Sequence, residues 1–85
     1  MEVFYTSRFA REAKKMPRHL RTTVEGRVEL FKRNHFDPKL KTHKLAGSLK
    51  DFWSFSIDYR YRIIFEFVES EKALFHSIGD HSIYD

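Results

Sequence analysis

The chain has 85 residues, 41% of them hydrophobic and nine of them phenylalanine, enough for one small domain with a thin core. It contains no cysteine, which excludes disulfides and thiolate metal sites and suits a reducing cytoplasm. Sixteen Lys and Arg against 12 Asp and Glu leave a formal charge of +4. That balance favours a polyanionic partner, nucleic acid or an acidic protein, and no apolar run approaches the ~20 residues of a membrane span.

Residues 1–85 read as a single domain, without repeats, linkers, low-complexity stretches or a visible signal peptide. Glu2 to Tyr5 alternates and predicts a short strand. Thr6 or Ser7 then offers a hydroxyl to cap a helix over 7–15, on which Phe9, Ala10, Ala13 and Met16 recur at helical spacing. Pro17 interrupts the pattern and suits the first turn of a second helix. Leu20, Val24, Val28 and Phe31 form one apolar stripe along that helix, predicted over 17–34. Gly26 weakens it by about 1 kcal/mol without ending it, and Asn34 is the expected stop.

Phe36-Asp37-Pro38 begins a loop, and residues 39–50, KLKTHKLAGSLK, hold four lysines and one histidine. Gly47-Ser48 marks a turn there. Three strands follow, predicted over 52–57, 60–68 and 73–78, joined by turns at Asp58-Tyr59 and Glu69-Ser70-Glu71. Trp53, Phe55 and Ile57 alternate with Ser54 and Ser56; Tyr61, Ile63, Phe65 and Phe67 alternate with Arg60, Arg62, Ile64 and Glu66. The order is β-α-α-β-β-β, an α+β domain with a helical hairpin packed on one face of a small antiparallel sheet. Alternation of this kind belongs to a sheet covered on one side. The aromatic set is expected under the helices, and Arg62, Ser54 and Ser56 on the open face.

The residues able to do chemistry gather by topology at that open face. Lys39, Lys41, His43, Lys44 and Lys50 lead into the sheet, Arg60 and Arg62 lie on it, and His76, His81 and Tyr84 come at its end. Cleavage of an RNA phosphodiester by its own 2′-OH needs a base, a cation for the charge on phosphorus, and an acid for the leaving oxygen. Histidine serves as either proton carrier near neutral pH. Arginine matches phosphate with a planar fork of donors, and tyrosine stacks on a base or donates a proton. Each residue also has a plainer reading. His43 is a solvated residue of a lysine-rich loop, Arg62 a partner for Glu66, His76 a buried hydrogen-bonded strand residue, and His81 part of a bland terminus. His19 and His35 carry no assigned role. The five histidines show no H-x-x-H or H-x-x-x-H spacing, so a metal site is the weaker reading. No Gly-rich phosphate loop or nucleophile elbow is present.

Four stretches, HKLAGSLK from His43, FWSFSI from Phe52, YRIIF from Tyr61 and IGDHSIY from Ile78, together resemble the RelE/ParE superfamily of bacterial and archaeal type II toxins. The resemblance spans nearly the whole chain and includes the order of elements. It implies a cytoplasmic ribonuclease without cofactor that cuts mRNA in the ribosomal A site and leaves a 2′,3′-cyclic phosphate. It further implies a cognate antitoxin protein that wraps and blocks the toxin, with operator DNA bound only through the toxin–antitoxin complex. By resemblance Arg62 stabilises the phosphate, and His81 is the acid or base of the YafQ-type and YoeB-type branches. Tyr84 orients the base or the proton, and His43 matches a histidine before the L-x-G turn. Lys44, Lys50 and Arg60 contact RNA. The chain departs from the pattern at Ser54 and Ser56, where many relatives carry a strand cation in W-S-x-R-I. A histidine mechanism with Arg62 is therefore expected. The alternatives are a ParE-like inhibitor of DNA gyrase and a catalytically weak member that binds its antitoxin.

Overall fold

A computed structural model of the chain describes residues 1–80. His81 and Tyr84 lie outside the described residues. Strand β1 (Glu2–Tyr5) leads into helix α1 (Ser7–Lys14), and a short 3-10 turn then runs into α2 (Arg21–Arg33). Strands β2 (His43–Lys44), β3 (Trp53–Ser56), β4 (Arg62–Glu69) and β5 (Lys72–Gly79) follow. Thr6 caps α1 by accepting from the Phe9 N–H at 3.0 Å, as its hydroxyl predicts. Asn34 ends α2 with a φ of −157°.

The five strands lie in the order β1-β5-β4-β3-β2. Strands β2 to β5 pair antiparallel. β1 adds to β5 in parallel, Val3 opposite Ala73, because the helical hairpin carries the chain across the sheet between its two edges. The sheet is thus mixed. Its helix-covered side holds Phe31, Phe55, Phe65 and Phe75, all fully buried, with Phe9, Val28, Ile57, Ile63 and Ile78 around them. Phe31 of α2 is central: its ring lies 4.7 Å from Phe55, 4.9 Å from Phe65 and 5.3 Å from Phe75. Such ring pairs add about 0.5–1.5 kcal/mol each beyond area burial.

Three local features differ from the sequence expectation. The lysine-rich loop contains a strand, β2, of two residues, too short to show alternation. Leu40, in the same loop, is fully buried. Asp37 caps a 3-10 turn over Pro38–Leu40 by accepting from the Lys39 N–H at 2.9 Å, and the turn carries Leu40 into the core. Arg60, expected at the start of β4, lies in the β3–β4 loop. The Asp58 carboxylate accepts from the N–H groups of Arg60 at 2.9 Å and Tyr61 at 2.7 Å, which holds those two residues out of the ladder. Among the described residues no helix is long and apolar enough to cross a membrane.

Candidate functional site

Register fixes which side chains share the open face. Trp53, Phe55, Ile63, Phe65 and Phe67 belong to the core or pack against it. The alternate positions Phe52, Ser54, Ser56, Arg62, Ile64 and Glu66 therefore project from the other side. His43 is opposite Ser54, which is opposite Ile64; Ser56 is opposite Arg62, which is opposite Gly79. One row of the face thus begins at His43, and the next contains Arg62. This face is not bare. Ser54 is fully buried, Ser56 and Ile64 nearly so. A serine side chain reaches little above the plane of the sheet, so these positions form a floor between larger neighbours.

Arg62 opens β4 and is half-buried. Its Nη1 donates to the carbonyl oxygens of Asp58 at 3.2 Å and Tyr61 at 3.4 Å. The guanidinium is anchored on the β3–β4 loop by one nitrogen of a group that carries five N–H donors. Arg60 sits beside it in that loop, its Nη2 3.7 Å from the Asp80 carboxylate and its guanidinium 5.3 Å above the Tyr61 ring.

His43 is exposed on the edge strand. Its Nδ1 lies 2.9 Å from the Lys41 carbonyl oxygen. A carbonyl only accepts, so Nδ1 carries the proton, and in the neutral ring Nε2 holds the lone pair. Lys41 adopts a positive φ of 51°, a conformation that costs a non-glycine residue about 1 kcal/mol. His43 and Arg62 are two strands and one row apart, roughly 12 Å between backbones from ordinary sheet spacings. Side chains of their length can flank one phosphodiester across that gap. Lys44 pairs with Trp53 and so shares the helix side of the edge. Lys50 is exposed at the end of the 3-10 turn Gly47–Leu49, where Gly47 supplies a φ of 65° that a side chain disfavours.

A second cluster was not singled out by the sequence. His76 Nε2 lies 2.8 Å from Glu66 Oε1, and the His76 ring meets Phe52 edge to face at 5.0 Å. Register places Phe52 across from Glu66, and a shift in the β4–β5 ladder brings His76 to them. Two positions separate Phe52 from Ser54 and Glu66 from Ile64, and the pair Ser54–Ile64 sets the ladder. Glu12 of α1 ties β5 to the helices. Its Oε1 accepts from the Ser77 hydroxyl at 2.8 Å and from the Ile78 N–H at 3.2 Å. Among the described residues no three His, Cys, Asp or Glu side chains gather in a way that holds a metal ion.

No family model and no curated protein sequence matches the chain. Its fold does match solved structures. YafQ from E. coli strain BL21(DE3) superposes with a TM-score of 0.81 at 15% identity, over 98% of this chain and 96% of that one. A YoeB/ParE toxin from Agrobacterium tumefaciens gives 0.76 at 15% identity, over 95% and 99%. A chain of the RelB-RelE antitoxin-toxin complex from Methanococcus jannaschii gives 0.74 at 24% identity, over 96% and 95%. The protein has the RelE-like toxin fold.

Proposed function

We propose that the protein is the toxin of a type II toxin–antitoxin pair and a ribosome-dependent endoribonuclease that cleaves mRNA by attack of the 2′-OH. The observation that carries this reading is the pairing of a fixed arginine with a tautomer-fixed histidine on one sheet face: Arg62 held by the Asp58 and Tyr61 carbonyls, His43 held by the Lys41 carbonyl. The fold likeness supports the toxin role, and the solved DinJ-YafQ complex, a toxin–antitoxin assembly of the same fold at 16% identity, supports a protein antitoxin as partner.

In this mechanism a histidine takes the proton of the 2′-OH. The freed oxygen attacks phosphorus, and the P–O5′ bond breaks. The leaving oxygen takes a proton from an acid, giving a 2′,3′-cyclic phosphate and a 5′-hydroxyl. Arg62 stabilises the extra charge on the phosphoryl oxygens, a contribution of about 2.7–4 kcal/mol for a well-placed donor. His43 Nε2 and His81 are the two proton carriers, and Tyr84 orients the base or the proton. Lys50 and Arg60 supply charge to the RNA path, whose role is positioning; Lys44, on the helix side of the edge, is left out of it. The ribosome presents the strand, so activity on naked RNA is not required.

Ser54 and Ser56, standing where a strand cation is common, favour a second reading of weak catalysis in a protein that still binds its antitoxin. Primer extension on mRNA in programmed ribosomes separates the two. The proposed function predicts a cut in the A site with wild-type protein, lost in folded Arg62→Ala and His81→Ala. Growth arrest with intact mRNA and stalled replication would instead direct the search to gyrase.

A further inference from the structure

The Phe52–Glu66–His76 cluster lies outside the phosphate-handling group described above. Arg62 and Glu66 are four residues apart on one strand, about 13 Å between backbones and two rows of the face, and a carboxylate repels the phosphate that Arg62 would bind. His76 is also placed by an irregularity. Ile64 is opposite Ser77 while the next residue, Phe65, is opposite Phe75. His76 is therefore the extra residue of a β-bulge, without a ladder partner of its own. Bulges re-aim side chains and concentrate beside working sites. This one sets an imidazole against a carboxylate and an aromatic ring on the open face, with the His76 and Glu66 side chains 29% and 33% exposed.

The chemistry of the cluster is specific. An ionised carboxylate only accepts, so His76 donates through Nε2–H, and Nδ1 of the neutral ring is an acceptor. The carboxylate keeps acceptor capacity as well. Beside them Phe52 presents a ring at 86° to the imidazole, two π surfaces at a corner. A carboxylate repels phosphate, so the cluster does not fit the backbone of a nucleic acid. It fits a base: a flat ring to stack, and N–H groups to donate into two acceptors.

We propose that Phe52, Glu66 and His76 form a nucleobase subsite on the open sheet face, next to the cleavage centre, that prefers guanine over uracil. Guanine offers two adjacent donors, its ring N–H and its amino group. Uracil offers one N–H flanked by carbonyl oxygens that face the acceptors unfavourably. The proposal rests on the reading of the protein as a single-stranded RNA binder and adds the element that chooses where it cuts. Phe52 and His76 supply stacking area, and the Glu66 carboxylate fixes the imidazole tautomer.

The test uses the full ¹⁵N-labelled chain and 2′-O-methyl tetranucleotides of G, A, C and U, which cannot undergo 2′-OH attack. NMR titration reports the site and the affinity together. The expected result is perturbation centred on the Phe52 amide and the His76 ring, with oligo-G bound more tightly than oligo-U. Phe52→Leu, which keeps an apolar side chain, and His76→Gln should weaken oligo-G at least about five-fold, as loss of a base stack does. Glu66→Gln should narrow the gap between G and U. Unchanged affinity in folded variants, perturbation elsewhere, or no binding of any tetranucleotide by the wild type overturns the subsite. Failure of the cleavage reading looks different: binding at Phe52 and His76 persists while ribosome-bound mRNA stays intact. If wild type and variants cut the same mRNA at the same positions with the same yield, the subsite falls and cleavage stands.

Discussion

The two faces of the sheet are built from the same strands and obey different demands. On the helix side, Phe31, Phe55, Phe65 and Phe75 are fully buried and in ring contact, and apolar volume is what matters there. On the other side, alternate residues of the same strands give Arg62, Glu66, Ser54 and Ser56, joined by His43 and His76 from the flanking strands. There the hydrogen bonds decide: loop carbonyls hold Arg62 and His43, and the Glu66 carboxylate holds His76. A two-residue period therefore separates stability from chemistry along one strand. Arg62 and Ile63 are adjacent in sequence, yet substitutions at them should fail in different assays.

The largest effect is expected at Phe31. Replacing it with Ala removes a ring that touches three other phenylalanine rings and should cost about 3–5 kcal/mol, a large share of the roughly 5–15 kcal/mol available to a small domain. Chemical denaturation should show most of the stability gone. Arg62→Ala, on the opposite face, should leave the denaturation midpoint within about 1 kcal/mol of wild type, the scale of its hydrogen bonds to two loop carbonyls. It should cut the cleavage rate about 10²–10³-fold, read by primer extension. Glu12→Ala sharpens the boundary between the faces. It strips acceptors from the Ser77 hydroxyl and the Ile78 N–H and should destabilise by about 1–3 kcal/mol, whereas Glu12→Gln, which keeps an acceptor, should lose less. The smallest effect has the opposite sign. Gly26 lies inside α2, and a Cβ there meets nothing within 4 Å. Gly26→Ala should raise stability by about 0.5–1 kcal/mol, measurable as a higher Tm with unchanged cleavage.

Periodicity revealed what periodicity governs. The stripe Leu20, Val24, Val28, Phe31 announced α2 and its buried face, and the alternation from Trp53 to Phe67 announced which side of the sheet the helices cover. Features that depend on one side chain or on register were hidden. The Asp58 carboxylate shifts Arg60 from strand to loop. The Asp37 cap buries Leu40, and β2 is two residues long. The parallel pairing of β1 with β5 joins residues 70 positions apart, Glu2 with Lys72, and no local pattern encodes it. Of the candidate site, alternation put Arg62 on the open face, whereas His43 was legible only as part of a basic loop leading into the sheet, because its strand is two residues long. The Glu66–His76 contact needs the bulge at His76, which carries no glycine or proline to mark it, and so only the folded sheet displays it.

On the proposed function, the face carrying Arg62 works while the face carrying Phe31 folds. The most direct measurement follows A-site cleavage and thermal unfolding on the same preparations of wild type and Arg62→Ala. The expected result is an A-site cut by wild type, lost in a variant that melts within a few degrees of it. Equal cutting by the two proteins, or a variant that loses its fold along with its activity, would contradict the division of labour between the faces.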